Sequence, residues 1–333
     1  MKLLFFDCHS YDKTYFEKSA LNFSEIQMDY CNEKLSLATA NMTKGYEAVV
    51  CFVNDKLDRA CLNKISENGV KAIFLRCAGY NNVDTATAQA LNISVYRVPA
   101  YSPEAVAEHA VALLMTLNRK THKSYLRIKE MNFSLEGLVG TNLFGKTVGL
   151  VGLGKIGQCF CRIMNGFGAK VLAYDPNPDL AWCQLNKVTL VSKDELLANS
   201  DVISFHCPLN ENTHYFLNQN NIFKTKQGCI IINTGRGALI ETKALIAALK
   251  KQHLGGAGLD VYEYESELFF TDRSAEIIQD DIIARLTSFP NVLVTSHQGF
   301  LTSEALVQIA NVTLKNISDF KNKTNFSSHP NRV

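Results

Sequence analysis

Three short stretches of the sequence carry side chains that could act on a small anionic ligand. Arg236 lies between two glycines in NTGRG, where a guanidinium could grip a carboxylate through a bidentate pair and polarise a neighbouring carbonyl. Glu265 ends GLDVYEYE, and His297 follows the apolar run VLVTS. A carboxylate beside an imidazole favours the protonated ring and fixes its tautomer, which suits proton donation near neutral pH. Taken alone, Arg236 is more typical of a surface ion pair and His297 of a structural or exposed histidine, so both alternatives stay open.

A glycine-rich motif lies upstream of these residues. Gly152, Gly154 and Gly157 fit GxGxxG, and the motif follows the apolar run TVGLV and opens a predicted helix. Gly152 would allow the tight turn, Gly154 the approach of the backbone to a pyrophosphate, and Gly157 close packing of helix on strand. The amides of Lys155 and Ile156 would then face the anion from the helix N-terminus. The motif therefore predicts a dinucleotide site.

Asp175 indicates which dinucleotide is bound. It ends the second apolar run, VLAYD, 23 positions after Gly152. A carboxylate there can accept hydrogen bonds from the adenosine ribose and would repel a 2′-phosphate. The following PNPDL contains no Arg or Lys to neutralise such a phosphate. The expected cofactor is NAD rather than NADP.

These residues must be held by strands and helices that alternate along the chain. Four buried-strand patterns occupy the first hundred residues: MKLLFFD, YEAVVCFVN, KAIFLRCAG and ISVYRVPA. A long helix is predicted from Pro103, with Ser102 as its N-cap and Glu104 in its first turn. Polar or helical stretches separate the strands, as in a parallel sheet, whose ligands collect beyond the carboxyl ends of the strands.

A second strand–helix series begins near residue 145 and contains six predicted strands: KTVGLVGLG, AKVLAYD, SDVISFHCP, GCIIINTG, HLGGAGLD and FPNVLVTSH. Six is the strand number of a complete Rossmann sheet. A further helix is predicted over DDIIARLTSF and a last one over TSEALVQIANVTLKNISDF. The expected fold class is α/β with two Rossmann-like parallel-sheet domains, the nucleotide domain lying centrally in the chain.

Composition excludes several classes of protein. The 333 residues carry 34 basic and 32 acidic side chains, and this balance, without a basic run, gives little support to a nucleic-acid partner. No apolar run approaches the roughly 18 residues of a membrane span, and the first one ends at Asp7, too short for a secretory signal. The ten cysteines have neither CxxC pairs nor zinc-ligand spacing, so we expect reduced thiols, no metal and a cytoplasmic protein.

Many of these motifs together resemble the NAD-dependent D-lactate dehydrogenases of the D-2-hydroxyacid dehydrogenase family, most closely the fermentative bacterial type. The resemblance runs in one register from about residue 45 to 320 and rests on CAGYNNVD, RVPAYSPEAVAEHAVALLMTLNR, FSLEGL, GLGKIG, SDVISFHCPL, NTGRGALI, GLDVYEYE, LFF, IIQDD and SHQGFLT. It implies a catalytic domain of residues 1–100 and 300–333 and an NAD-binding Rossmann domain of residues 101–299, with the active site in the cleft.

The resemblance also implies the roles of individual residues. Arg236 takes the carboxylate-binding position, Glu265 the acidic partner position and His297 the proton-donor position. The implied NAD contacts are Gly152, Gly154, Lys155, Ile156, Gly157, Asp175, Cys207, Pro208, Thr213, Thr234, Gly235 and Asp260. The implied substrate contacts are Phe52, the amides of Ala78 and Gly79, Tyr101, Arg236 and His297.

Two departures from the family pattern leave the size of the substrate side chain open. Phe52 stands where some relatives carry a tyrosine, and Leu301 follows Phe300 where others carry a tyrosine. Both residues keep the pocket apolar. The resemblance thus implies reversible reduction of pyruvate to D-lactate, with a preference for bulkier 2-oxo acids as the alternative. A less favoured alternative is an NAD-sensing binding protein without turnover.

Other reactive side chains have simpler interpretations. We expect His206 to be structural, Cys77 and Cys207 to be small packing residues, and Phe269–Phe270 to pack a long loop. Glu104, Glu108 and His109 could suggest a metal site, but His109 should leave the helix face that the two glutamates share. The family forms dimers and tetramers, so a homodimer or homotetramer is expected, and AVALLMTL could serve that interface or the core.

Overall fold

The computed structural model describes residues 1–23, 25–324 and 329–333. The chain divides into two compact units. The first comprises Met1–Ser102 together with Leu301–Val333, and the second comprises Pro103–Phe300.

The first unit is built on one five-stranded sheet in which every pair of neighbouring strands is parallel. Its strands are β1 (Lys2–Phe5), β2 (Gln27–Tyr30), β3 (Ala48–Cys51), β4 (Ala72–Leu75) and β5 (Ser94–Tyr96). The spatial order is β2-β1-β3-β4-β5. The order reverses between β1 and β3, and ligands of open α/β sheets bind beyond the carboxyl ends at such a reversal.

The second unit contains a seven-stranded sheet, again parallel throughout. Its strands are β6 (Thr147–Val151), β7 (Lys170–Tyr174), β8 (Val188–Leu190), β9 (Val202–Phe205), β10 (Cys229–Asn233), β11 (Leu254–Leu259) and β12 (Val292–Val294). The order β12-β11-β10-β9-β6-β7-β8 reverses between β6 and β9. The GxGxxG motif follows β6, at the reversal.

Helices connect the strands, and most begin at a residue whose side chain caps the first turn. In chain order they are α1 (Ser10–Ala20), α2 (Arg59–Glu67), α3 (Thr85–Ala90), α4 (Pro103–Arg119), α5 (Thr121–Lys129), α6 (Lys155–Gly166), α7 (Leu180–Leu185), α8 (Lys193–Asn199), α9 (Thr242–Lys250), α10 (Asp281–Thr287) and α11 (Ser303–Lys321). The capping side chains are Asp58, Asp84, Asp179, Ser192, Asp280 and Thr302.

The core of the second unit covers both faces of its sheet. The run AVALLMTL belongs mainly to this core, because Leu113, Leu114 and Leu117 of α4 are buried where α4 packs on β10, β11 and α6. The predicted α/β class with two Rossmann-like parallel sheets is confirmed. Among the described residues, no helix is both long and apolar enough to cross a membrane.

Two strands were missed by the sequence prediction, which expected four strands in the first series and six in the second. The missed strands, β2 and β8, contain the segments QMDY and VTL, which are short and lie at sheet edges. None of their residues is fully buried. An edge strand faces less of the core, so it lacks the apolar run that marks a buried strand.

Candidate active site

The glycine-rich loop has the geometry that a pyrophosphate site requires. Gly152 has a φ of +99°, and a Cβ there would lie 2.8 Å from the backbone nitrogen of Cys207. Gly157 packs against the carbonyl oxygen of Gly152, whereas a Cβ on Gly154 would meet open space. Helix α6 starts at Lys155, and no side chain caps its N-terminus. Its first amides are therefore available to an anion.

Asp175 is tied into this loop. One carboxylate oxygen accepts a hydrogen bond from the amide of Leu153 at 2.7 Å, and the other accepts one from the amide of Asn177 at 2.8 Å. The carboxylate therefore supports the turn. Each oxygen also keeps a lone pair that could accept a ribose hydroxyl. These features and the glycine loop fit a dinucleotide.

The other implied cofactor residues follow β9 and β10. Cys207 is half-buried, and burial raises the pKa of its thiol to about 12. The Thr213 hydroxyl donates to the Pro208 carbonyl at 2.7 Å, which closes the loop after β9. The Thr234 hydroxyl is buried, and it has no hydrogen-bond partner within the described part of the chain. A buried unsatisfied hydroxyl is costly, which favours a ligand group beside it.

His206 belongs to the interior. Burial lowers the pKa of its imidazole to about 3, so the ring is neutral. Its Nε2 lies 2.9 Å from the Ser204 hydroxyl, and the ring packs on Phe160 with 4.9 Å between centroids. This arrangement supports the structural interpretation of His206.

Arg236 stands after β10, on a loop that passes close to the segment after β11. Its Nη1 donates to the carbonyl of Gly235 at 2.8 Å, and the side chain is half-buried. Asn233 braces this loop, because its side chain accepts from the amide of Gly235 and donates to the carbonyl of Arg236. Gly237 is required, since a Cβ there would collide with the backbone of Tyr262.

Glu265 and His297, which the sequence leaves 32 positions apart, are in contact. Glu265 Oε1 lies 2.7 Å from His297 Nδ1, and Glu265 Oε2 accepts a hydrogen bond from the amide of Tyr262 at 2.9 Å. The two side chains are 18% and 15% exposed, respectively. The carboxylate fixes Nδ1 as the hydrogen-bonded nitrogen, which leaves Nε2 as the ring nitrogen that could exchange a proton with a ligand.

Asp260 lies at the end of β11 and is 1% exposed. Its carboxylate accepts hydrogen bonds from the Thr295 hydroxyl and from the amides of Gln298 and Gly299. Burial alone would raise the pKa of Asp260, but hydrogen bonds from His109 and Thr295 outweigh it and hold the pKa below its usual value. The observed bonds of this carboxylate are thus to the protein, to His109 of α4 and to the segment that carries His297.

The implied substrate residues of the first unit follow β3, β4 and β5. Ala78 and Gly79 come after β4, and within the residues described neither amide nitrogen donates a hydrogen bond, so both are available to an anion. Phe52 is buried after β3, and its ring lies 4.0 Å from the guanidinium carbon of Arg76. Tyr101 is half-buried.

Two supporting residues, Thr295 and His109, were not predicted to act near His297. Thr295 stands two positions before His297 in TSH, which is a weak local signal. His109 was weighed only in a metal cluster, yet its Nε2 lies 3.0 Å from the Thr295 hydroxyl. Glu104 instead accepts from the thiol of Cys159. In the part of the chain that is described, no three His, Cys, Asp or Glu side chains group as metal ligands would.

Comparison with known proteins identifies the family. Residues 111–299 match the model described as D-isomer specific 2-hydroxyacid dehydrogenase, NAD binding domain. The chain is 49% identical to 2-hydroxyacid dehydrogenase A of Aspergillus oryzae over 96% of this chain and 92% of that protein. It is 47% identical to D-lactate dehydrogenase of Escherichia coli over 96% and 97% of the two chains.

A solved structure agrees with these sequence relatives. The apo form of Escherichia coli D-lactate dehydrogenase superposes with a TM-score of 0.90 at 44% identity, and the match covers 100% of both chains. The chain therefore belongs to the D-isomer specific 2-hydroxyacid dehydrogenases, and it is an oxidoreductase with an NAD-binding domain.

Proposed function

We propose that the protein is a D-lactate dehydrogenase that reversibly reduces pyruvate to D-lactate with NADH. The observation that carries the proposal is the hydrogen bond of 2.7 Å between Glu265 and His297, which creates an imidazole held for proton transfer on an NAD-binding domain. The name of the Escherichia coli relative, D-lactate dehydrogenase, supports pyruvate and D-lactate as the substrate pair.

In the proposed reaction, three groups of this chain act on the substrate. Arg236 binds the carboxylate through its planar guanidinium, and the amides of Ala78 and Gly79 bind carboxylate oxygens. His297, protonated and paired with Glu265 at Nδ1, donates the proton on Nε2 to the carbonyl oxygen during reduction. In the oxidative direction, neutral His297 accepts that proton from the hydroxyl group. Bound NAD supplies or accepts the hydride.

The proposed cofactor site is the loop after β6 with the residues that follow β7, β9, β10 and β11. The amides of Lys155 and Ile156 bind the pyrophosphate, and Asp175 binds the adenosine ribose. The remaining proposed contacts are Gly152, Gly154, Gly157, Cys207, Pro208, Thr213, Thr234, Gly235 and Asp260.

We also propose that two or four copies associate through the second unit. Helix α5 has no buried residue, and eight apolar side chains of this helix and the following loop are more than half exposed. These side chains are Tyr125, Leu126, Ile128, Met131, Phe133, Leu135, Val139 and Phe144. An apolar surface of this extent is typical of a protein interface. Light scattering of the purified protein should give the mass of a dimer or tetramer, and a monomer would contradict the proposal.

The proposed location is the cytoplasm. All ten cysteines are free thiols, as is usual for proteins in a reducing compartment. Fractionation of the source cells should recover the protein with the cytoplasmic markers, and recovery with secreted or membrane fractions would contradict this placement.

The function is tested by following NADH oxidation with pyruvate and with 2-oxobutyrate, 2-oxoisocaproate and phenylpyruvate, then resolving the product enantiomers. We expect pyruvate to give the highest kcat/KM and the product to be D-lactate. A strong preference for a bulky 2-oxo acid would contradict the assignment of pyruvate and favour a D-2-hydroxyacid dehydrogenase of broader specificity. Binding of NADH without turnover of any of these acids would contradict an enzymatic role and favour an NAD-sensing protein.

A further inference from the structure

The segment that carries His297 is wrapped around one buried carboxylate. Thr295 Oγ1 donates to Asp260 Oδ1 at 2.6 Å, the amide of Gln298 donates to the same oxygen at 2.8 Å, and the amide of Gly299 donates to Oδ2 at 2.7 Å. The amide of His297 itself donates to the backbone carbonyl of Asp260 at 2.7 Å. One residue therefore holds the chain on both sides of His297, through the Thr295 side chain before it and the amides of Gln298 and Gly299 after it.

This anchor holds His297 in a conformation that the residue would otherwise avoid. Its φ is +51°, in the left-handed region that is unfavourable for residues other than glycine. In this conformation its Nδ1 reaches Glu265. Because a strained backbone persists only where its surroundings hold it, the contact between His297 and Glu265 depends on the anchor.

His109 completes the anchor from a separate helix. It lies on α4, and its Nε2 is 3.0 Å from Thr295 Oγ1 and 3.2 Å from Asp260 Oδ1. Since the Thr295 hydroxyl gives its proton to Asp260, its lone pairs can accept the N–H of His109. Helix α4 packs on β10, β11 and α6, so the imidazole is presented from a rigid element.

We propose that His109 is a positioning residue for proton transfer: its Nε2–H fixes Thr295 and Asp260, which in turn hold His297 in contact with Glu265. This inference rests on the proposed function, in which His297 is the proton donor. His109 does not act on the substrate itself. Its removal should misalign His297 while the cofactor loop after β6 stays unchanged.

Two substitutions of His109 separate its hydrogen bond from its volume. His109→Gln keeps an N–H donor, whereas His109→Leu removes the donor and keeps the bulk. We expect His109→Leu to lower kcat about tenfold or more, with the KM for pyruvate within about twofold of the wild type and the Kd for NADH changed by less than kcat. The solvent deuterium isotope effect on kcat should increase, because proton transfer becomes slower. His109→Gln should retain kcat within about threefold.

The chain offers a matched control. His253 Nε2 lies 3.0 Å from the hydroxyl of Thr225, so it makes the same type of contact in the same unit, but at the amino end of β11. His253→Leu removes an equivalent hydrogen bond away from His297 and should leave kcat and the isotope effect unchanged. If it lowered kcat as much as His109→Leu does, the loss would reflect general destabilisation and the inference would fail.

Other results would also overturn the inference. It is wrong if His109→Leu keeps wild-type kcat, if its loss is due entirely to weaker NADH binding, or if the folded His109→Gln variant is as slow as His109→Leu. Should His109→Leu not fold, Thr295→Val tests the same anchor without a large cavity and must show the same loss of kcat. A wild-type protein that binds NADH but turns over no 2-oxo acid would instead contradict the proposed function, and the inference with it.

Discussion

The carboxyl edges of the two sheets each bury an aspartate that is 1% exposed, but the pKa values of the two carboxyl groups are shifted in opposite directions. Burial raises the pKa of Asp55, in the first unit, to about 7, although the amides of Phe52 and Leu35 donate to it. At Asp260 burial acts in the same direction, yet the hydrogen bonds from His109 and Thr295 reverse the outcome. The difference teaches that the set of donors, rather than burial, decides whether a buried carboxylate is charged.

The two edges also differ in the exposure of their basic side chains. In the first unit, Arg76 is 1% exposed; its Nη1 donates to Asp12 at 3.1 Å and its Nη2 donates to the carbonyl of Asp7 at 2.6 Å. In the second unit, Arg236 and His297 are partly exposed. A buried ion pair supports a specific structure, whereas a partly exposed charge can meet a ligand. Substitutions should therefore change kinetics at the second edge and stability at the first.

The largest effect is expected at His297. His297→Gln removes the proton donor, so kcat for pyruvate reduction should fall about 10²–10⁴-fold while NADH binding persists. Stopped-flow or steady-state assays with NADH fluorescence titration would measure both. His253→Gln, at the opposite end of the same sheet, serves as the control and should keep wild-type kcat. A near-normal kcat in His297→Gln would contradict the expectation that substitutions at the second edge change the kinetics.

The next largest effect is expected at Arg236. Arg236→Lys retains the charge but loses the planar fork, so the KM for pyruvate should rise about 10- to 100-fold. Initial-rate measurements over a range of pyruvate concentrations would test this. The conservative control is Arg273→Lys, at an exposed ion pair with Glu276, which should leave KM unchanged. An unchanged KM in Arg236→Lys would rule out the carboxylate assignment.

Glu265→Gln should alter the pH profile more than the maximal rate. Without the negative charge, protonated His297 loses its stabilising partner, so pyruvate reduction should decline at lower pH than in the wild type. We expect the rate of Glu265→Gln to fall increasingly below that of the wild type as the pH rises. Glu276→Gln, which is exposed, should reproduce the wild-type profile. Superimposable profiles for Glu265→Gln and the wild type would show that the pair does not control protonation.

The remaining effect is expected at the first edge, and it concerns stability rather than kinetics. Because the folded pKa of Asp55 lies above its ordinary value of 3.8, its stabilising contribution is complete below about pH 4 and is lost as pH rises through 7. Asp55→Asn removes this dependence. The free energy of unfolding of the wild type minus that of the variant should fall by about 1.4 kcal/mol per pH unit between about pH 5 and 6.5, measured by urea unfolding.

The comparison of variants also cancels other titrating groups. Burial lowers the pKa of His206 to about 3, so this residue stabilises the protein at pH values above its ordinary pKa of 6.5. Its contribution is lost as the pH falls, which is the opposite of the pH dependence expected for Asp55. It is present in both proteins, so it does not affect the difference. The control is Asp58→Asn, which keeps an N-cap side chain on α2. Its free energy of unfolding should change with pH in parallel with that of the wild type. A pH-independent difference for Asp55→Asn would break the contrast with Asp260.

Much of the fold could be predicted because its signals are local. The central strands β3, β4, β6 and β10 are apolar on both faces, so each appears as a continuous apolar run in the sequence. Helix starts such as Asp280 and Thr302 are marked by the capping residue itself. The edge strands β2 and β8 were not predicted, because their pairing with a neighbouring strand, rather than their own residues, makes them strands.

The sequence by itself determined the nucleotide loop, since Gly152, Gly154, Gly157 and Asp175 lie within 24 residues and the backbone geometry of the turn depends on glycines at those positions. Only the tertiary structure decided that Glu265 meets His297 and that His109 meets Thr295, 32 and 186 positions apart. Those contacts are set by the pairing of β11 with β12 and by the packing of α4 on β11, which depend on the whole sheet. Spacing along a chain predicts a motif whose members are joined directly by a short stretch of backbone. It does not predict a side-chain network whose members come together only when the sheet forms.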